Sequence, residues 1–171
     1  MTTPILFIFS GLPGAGKSTL AQGLARETGA VYLRIDTIEQ ALRDLCQFKV
    51  EGEGYRLSYR VAKDNLLQGN SVIADCCNPI SLTREEWQQV AISAGAQYLN
   101  IEVYCGDQNE HRFRVEHREN TVTNMALQPG PMYSSDIMNL GMHRLSPAAN
   151  LFVLIPKANS LTYRYVRCSK H

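Results

Sequence analysis

Gly11-Leu12-Pro13-Gly14-Ala15-Gly16-Lys17-Ser18-Thr19 is the stretch on which the fold turns. It fits the pattern G-x-x-x-x-G-K-[ST]. Glycines there let backbone N–H groups curl around phosphates, the lysine reaches the β and γ phosphates, and the hydroxyl ligates Mg²⁺. On that reading Gly11, Pro13, Gly14, Ala15, Gly16, Lys17, Ser18 and Thr19 hold a nucleoside triphosphate. Lys17 acts on the transferring group and Ser18 is a metal ligand. The helix that follows adds its positive N-terminal end.

The flanks agree with the loop. Ile5 to Phe9 is a short apolar run that suits a strand buried on both faces. From Lys17 the apolar spacing becomes helical, with Leu20, Ala21, Leu24 and Ala25 on one face and Gly29 as the stop. Val31 to Ile35 reads as a second strand ending at Asp36, and Thr37 to Phe48 as a helix. Gly52 and Gly54 break the chain before a helix over Tyr55 to Leu67, closed by Gly69. Ser71 to Ala74 is a third strand running into Asp75. Thr83 with Glu86 predicts a capping box for a helix through Ala94, Tyr98 to Cys105 a fourth strand, and Asp107 with Glu110 a second box for a helix through Arg118. Strands alternating with helices predict an α/β fold with a doubly wound parallel sheet and ligands outside the C-terminal strand ends.

The 171 residues are the size of one domain, and 17 basic against 16 acidic side chains leave no one-sign field for a nucleic-acid backbone or an anionic membrane. Nucleic acid is therefore not the expected partner. No run approaches the roughly 20 apolar residues of a membrane span. The start MTTPILFIFSG has no basic leader pattern, and the odd count of five cysteines contains no CxxC pair, so a reduced, cytoplasmic protein is expected. His111, His117, His143 and His171 show no zinc-ligand spacing with the cysteines. Trp87 is read as a helix residue packing on the sheet, and Cys76 and Cys77 as small residues at a strand end.

Acidic residues punctuate the same sheet edge. Asp75, after Ser71-Val72-Ile73-Ala74, is placed to hold the metal from the end of a buried strand, with a turn or cap aspartate as its plain alternative. Asp36 is placed to orient an acceptor hydroxyl or take its proton, and is equally a natural helix N-cap.

The set GLPGAGKST, LRID, VIADCCNP and IEVYCGDQNEHRFRVEHR, from Ile5 to about Asn124, resembles the kinase-like P-loop ATP-binding proteins of the AAA-domain group, near the gluconate kinase, zeta toxin and polynucleotide kinase relatives. The resemblance implies a P-loop NTPase three-layer fold with about five parallel strands. It also implies MgATP and phosphoryl transfer to a small hydroxyl-bearing acceptor. Asp36 then matches the acid that handles the acceptor and Asp75 the metal-side acid. Arg112, Arg114 and Arg118 fall in the helix matching the lid, where arginines close over the transferring phosphate, and Arg114 and Arg118 share a face at i,i+4. Arg112 can equally pair with Glu116 on a solvated face. The rival readings are a nucleotide-binding protein without turnover, a GTPase, which lacks its N-K-x-D guanine-reading motif here, and a nucleic-acid kinase.

After Asn124 the resemblance stops. Residues 1–126 are expected to form the nucleotide-binding core with its lid helix, and 127–171 an atypical segment. Back-translating Gln128 to Gly141 and reading two bases later permits T-W-P-D-V-Q-Q-R-H-Y-E-P-W, and the same shift over Leu151 to Ser160 permits V-R-I-D-T-E-S-E-Q. Those strings restore the tryptophan-, arginine- and tyrosine-bearing pattern and the Ile-Asp-Thr strand of the family. A frameshift from about Leu127 onward is the expectation, with Leu151 to Ile155 serving as a substitute edge strand.

Overall fold

A computed structural model of the chain describes residues 3–47, 49–127 and 161–166. In chain order the elements are β1 (Ile5–Ser10), α1 (Lys17–Thr28), β2 (Val31–Arg34), α2 (Ile35–Cys46), α3 (Glu53–Leu67), β3 (Val72–Asp75), α4 (Ser81–Ser93), β4 (Gln97–Tyr104), α5 (Gln108–His117) and β5 (Leu161–Val166). The strands form one parallel sheet in the order β2-β3-β1-β4-β5.

Alternation along the strands builds three layers. Leu6 and Ile8 of β1 stand in register with Val72 and Ala74 of β3, and all four pack on one face with Ala62, Leu66, Trp87, Val90 and Ala91 from α3 and α4. Phe7, Phe9 and Ile73 face the other way, against Leu20, Ala21, Leu24 and Ala25 of α1. Strands buried on both faces have no polar side to show, which is why β1 and β3 read as continuous apolar runs. Burying each such Leu, Ile or Phe side chain stabilises the fold by about 1.5–3 kcal/mol. Trp87 is fully buried, as expected, with Tyr59 edge-on at a centroid separation of 4.6 Å.

Three boundary expectations need correction. β2 ends at Arg34 and α2 begins at Ile35, so Asp36 lies in the first turn of α2 and not at the end of the strand; it is not the N-cap either, because Arg34 holds that position. Gly54 does not break the chain but lies buried within α3, where a Cβ would run into the Glu39 side chain of α2. Close approach of two helices, not chain breaking, accounts for that glycine. Thr83 caps nothing: α4 starts at Ser81, and the Thr83 hydroxyl donates to the Ile80 carbonyl at 3.0 Å. Asp107 does cap α5, its Oδ1 accepting from the N–H groups of Asn109 and Glu110 at 2.9 and 3.2 Å.

Among the described residues of the tail, 161–166 join the sheet. β5, LTYRYV, pairs in parallel with β4 from Leu99↔Leu161 to Tyr104↔Val166. Leu151–Ile155 and most of the tail lie outside the described residues.

Candidate functional site

The C-terminal ends of β1, β2 and β3 and the N-terminal turns of α1 and α2 converge on one cavity of about 580 Å³. The loop between β1 and α1 forms its floor. Gly11 has φ +137, and a Cβ there would run into the Val103 carbonyl oxygen of β4, so only glycine lets the chain leave the sheet at this point. Its N–H donates to the Cys77 carbonyl at 3.1 Å, joining the loop to the segment after β3. Gly14 has φ +79 and lies where a Cβ would stand 2.7 Å from Val115 Cγ2 of α5. Packing of α5 on the loop requires that gap. Beside it, Nε2 of His111 meets the Pro13 carbonyl oxygen at 2.8 Å.

Of the residues predicted to serve the site, Pro13, Gly14, Gly16, Lys17, Ser18, Thr19, Asp36, Asp75, Arg114 and Arg118 all line this cavity. Gly11 and Ala15 do not; both are buried behind the loop they shape. Lys17 is 7% exposed, and its Nζ donates to the Leu12 carbonyl at 2.9 Å. Arg114 donates through Nε to Glu110 at 2.6 Å, while Arg112 pairs with Glu116 at 3.0 Å and does not reach the cavity. Arg118 follows the last turn of α5 in extended conformation.

Asp75 is the most enclosed acid among the described residues, 2% exposed. A buried carboxylate needs hydrogen-bond partners. Its Oδ2 accepts from the Tyr32 hydroxyl at 2.6 Å and stands 4.0 Å from Arg34 Nε. Burial, and then the neighbouring carboxylate, push the Tyr32 hydroxyl well above its ordinary range, so it stays a donor. Burial likewise raises both the Cys76 and Cys77 thiols.

Among the described residues no three His, Cys, Asp or Glu side chains gather as a metal cage. Ser18 and Asp75, both lining the cavity, are side chains of the oxygen-donor kind that a hard cation such as Mg²⁺ takes.

The remaining cavity wall escaped sequence reasoning. Glu119, Asn120, Thr121, Met125 and Leu127 line it from the segment after α5: Arg34 Nη1 donates to Thr121 Oγ1 at 2.9 Å, Asn124 Nδ2 donates to Asp44 of α2 at 3.2 Å, and Val122 is buried. Phe113, 56% exposed at the cavity, stacks on His117 with centroids 4.2 Å apart. Tyr32 and Arg34 could have been found from the period of β2, which puts alternate residues on one face. No local signal marks Thr121.

A family model described as an AAA domain matches residues 6–128. No curated protein matches the chain significantly. Among solved structures, a candidate kinase from Chloroflexus aurantiacus is similar at 25% identity and TM-score 0.58, covering 69% of this chain and 68% of that one. A sugar kinase from Janibacter superposes with TM-score 0.58 at 16% identity over 95% and 86% of the two chains. An APS kinase from Mycobacterium tuberculosis, solved with AMPPNP and APS, does so with TM-score 0.55 at 21% identity over 66% and 69%. The last two show likeness of fold. With the loop, the sheet order and the family match in agreement, this chain belongs to the AAA-domain family of P-loop, kinase-like proteins.

Proposed function

We propose that the chain binds MgATP on the loop from Gly11 to Thr19 and transfers the γ-phosphoryl group to a small hydroxyl-bearing acceptor. One observation carries this reading: Lys17, Ser18, Asp36, Asp75, Arg114 and Arg118, drawn from four separate stretches of sequence, line a single cavity. The membership of a kinase-like family and the 25% identity to a candidate kinase support it.

The chemistry follows from the positions. The backbone N–H groups of the loop and Lys17 hold the β and γ phosphates. Ser18 and Asp75 would hold Mg²⁺, which when bound offsets phosphate charge and fixes the phosphate geometry. Asp36, on the first turn of α2, takes the proton of the acceptor hydroxyl as its oxygen attacks the γ phosphorus. The bond from that phosphorus to the β–γ bridging oxygen breaks, and ADP leaves. Arg114 and Arg118 stabilise the charge spread over the transferring oxygens, a contribution of electrostatic kind that mutagenesis values at about 10²–10³ in rate.

A second reading, a nucleotide-binding protein with little or no kinase activity, is favoured by where the family match ends. It stops at residue 128, next to Leu127, where the shifted reading frame begins to spell the family pattern. ADP release by purified protein, with Mg²⁺ and a panel of small hydroxyl compounds, distinguishes the two when run beside Lys17→Ala and the chain carrying the frame-restored tail. Turnover abolished by Lys17→Ala supports the kinase. ATP binding without turnover, restored only by the frame-corrected tail, supports the second reading, and failure to bind ATP overturns both.

A further inference from the structure

Two residues of β2 reach the same carboxylate. Tyr32 pairs in register with Ile73 and Arg34 with Asp75, so residues 32 and 34 share the face on which Asp75 stands. The Tyr32 hydroxyl donates to Asp75 Oδ2 at 2.6 Å, whereas Arg34 Nε stays at 4.0 Å and gives its hydrogen bond to Thr121 through Nη1. The Tyr32 ring packs in the α1-side core cluster with Leu24 and Ala25, which fixes the hydroxyl from behind.

We infer that Tyr32 is the positioning residue of the metal-side acid. It occupies Asp75 Oδ2 and so leaves Oδ1 for Mg²⁺ in the cavity that Asp75 lines. The inference rests on the MgATP reading above, and the chemistry of the donor is what singles out Tyr32. A cation hydrogen-bonded to this carboxylate would compete with the metal for its charge. A neutral phenol holds the carboxylate's rotamer and leaves its full negative charge to the metal. Arg34 Nε, at 4.0 Å, stands too far to take the oxygen by a hydrogen bond. A carboxylate with both oxygens free at the end of a strand has broad torsional freedom about its terminal bond, and that freedom is lost when a metal binds. Tyr32 removes it beforehand.

The test is the gain in ATP affinity produced by Mg²⁺, measured by calorimetry with and without excess Mg²⁺. Four proteins are compared: the parent, Tyr32→Phe, Asp75→Asn and the double variant. Tyr32→Phe keeps the packed ring and loses only the hydroxyl. It is expected to bind metal-free ATP like the parent but to lose about tenfold of the Mg²⁺ gain, the factor for one hydrogen bond to a charged group. In the Asp75→Asn background the Tyr32→Phe change should have no further effect on that gain. A Tyr32→Phe protein with the parental Mg²⁺ gain overturns the inference and leaves the kinase reading intact, even where its melting temperature falls. A parent whose ATP binding shows no Mg²⁺ gain overturns both.

Discussion

Lys17 Nζ donates to the carbonyl oxygen of Leu12, five residues earlier in its own loop, at 2.9 Å. The loop is therefore curled around its lysine, whose side chain is 7% exposed, and on the proposed reading the phosphates of ATP take the place of that carbonyl as the ammonium's partner. Lys17→Ala removes the only lysine among the described residues that line the cavity. ATP affinity should fall at least tenfold, and ADP release by about 10²–10³, the range for losing one donor to developing charge. Fluorescent-nucleotide titration and a coupled ADP assay check the two separately.

Gly14 answers to two constraints at once, a φ of +79 and the Val115 side chain of α5. Gly14→Ala imposes left-handed strain and a contact 2.7 Å from Val115 Cγ2, together costing about 2–6 kcal/mol. Relief has to come from α5 moving away, which also lengthens the contact of His111 with Pro13. The expected result is a lowered melting temperature with weakened ATP binding. The double variant Gly14→Ala, Val115→Ala should recover part of the stability, because the second change opens the space that the first one fills.

How much of this was readable beforehand depends on how far apart the partners lie. Gly11 to Ser18 announces itself because every part of the loop is contiguous, and the apolar runs of β1 and β3 follow from burial on both faces. Asp75 follows from its strand. Tyr32 and Asp75, 43 residues apart, and His111 and Pro13, 98 apart, meet only because β2 adds beside β3 and α5 folds back on the loop. No local pattern encodes such meetings. Gly54 misled for the same reason: its meaning lies in Glu39 on another helix. Asp36 lines the cavity from the first turn of α2 and not from the end of β2, because β2 stops at Arg34 and one or two residues decide whether a strand or the next helix owns such a position.

Glu53, the first residue of α3, accepts hydrogen bonds from the N–H groups of Glu51 and Gly52 at 2.8 and 3.1 Å. Those backbone donors lower its carboxyl to about 2 from an ordinary 4.5. A folded value below the unfolded one means stability that is complete above the unfolded value and is lost as pH falls toward the folded one. The parent should therefore lose stability as pH drops from about 4.5 to about 2. Glu53→Gln should lose less over that window while being weaker at neutral pH. Urea midpoints taken across the range read the difference, and parallel curves for the two proteins would sink the assignment.

Asn78 ties the end of β3 to the end of β1. It is fully buried with φ +46, and its Nδ2 donates to the Phe9 carbonyl at 2.9 Å. Its own carbonyl accepts from Arg84 at 2.7 Å, and its N–H reaches the Tyr55 hydroxyl at 3.3 Å. Two residues after Phe9 the phosphate loop begins at Gly11, itself bonded to the Cys77 carbonyl. Asn78→Ala loses the amide bond and keeps a side chain in the left-handed region, so it should cost about 2–4 kcal/mol. Asn78→Gly relieves the backbone and loses only the amide, so it should cost less. If the amide matters only for folding, both variants should bind ATP as the parent does under conditions where they are folded. The structure leads to the opposite expectation: both lose ATP affinity, because freeing the Phe9 end of β1 loosens the first turn of the loop whichever backbone is left behind.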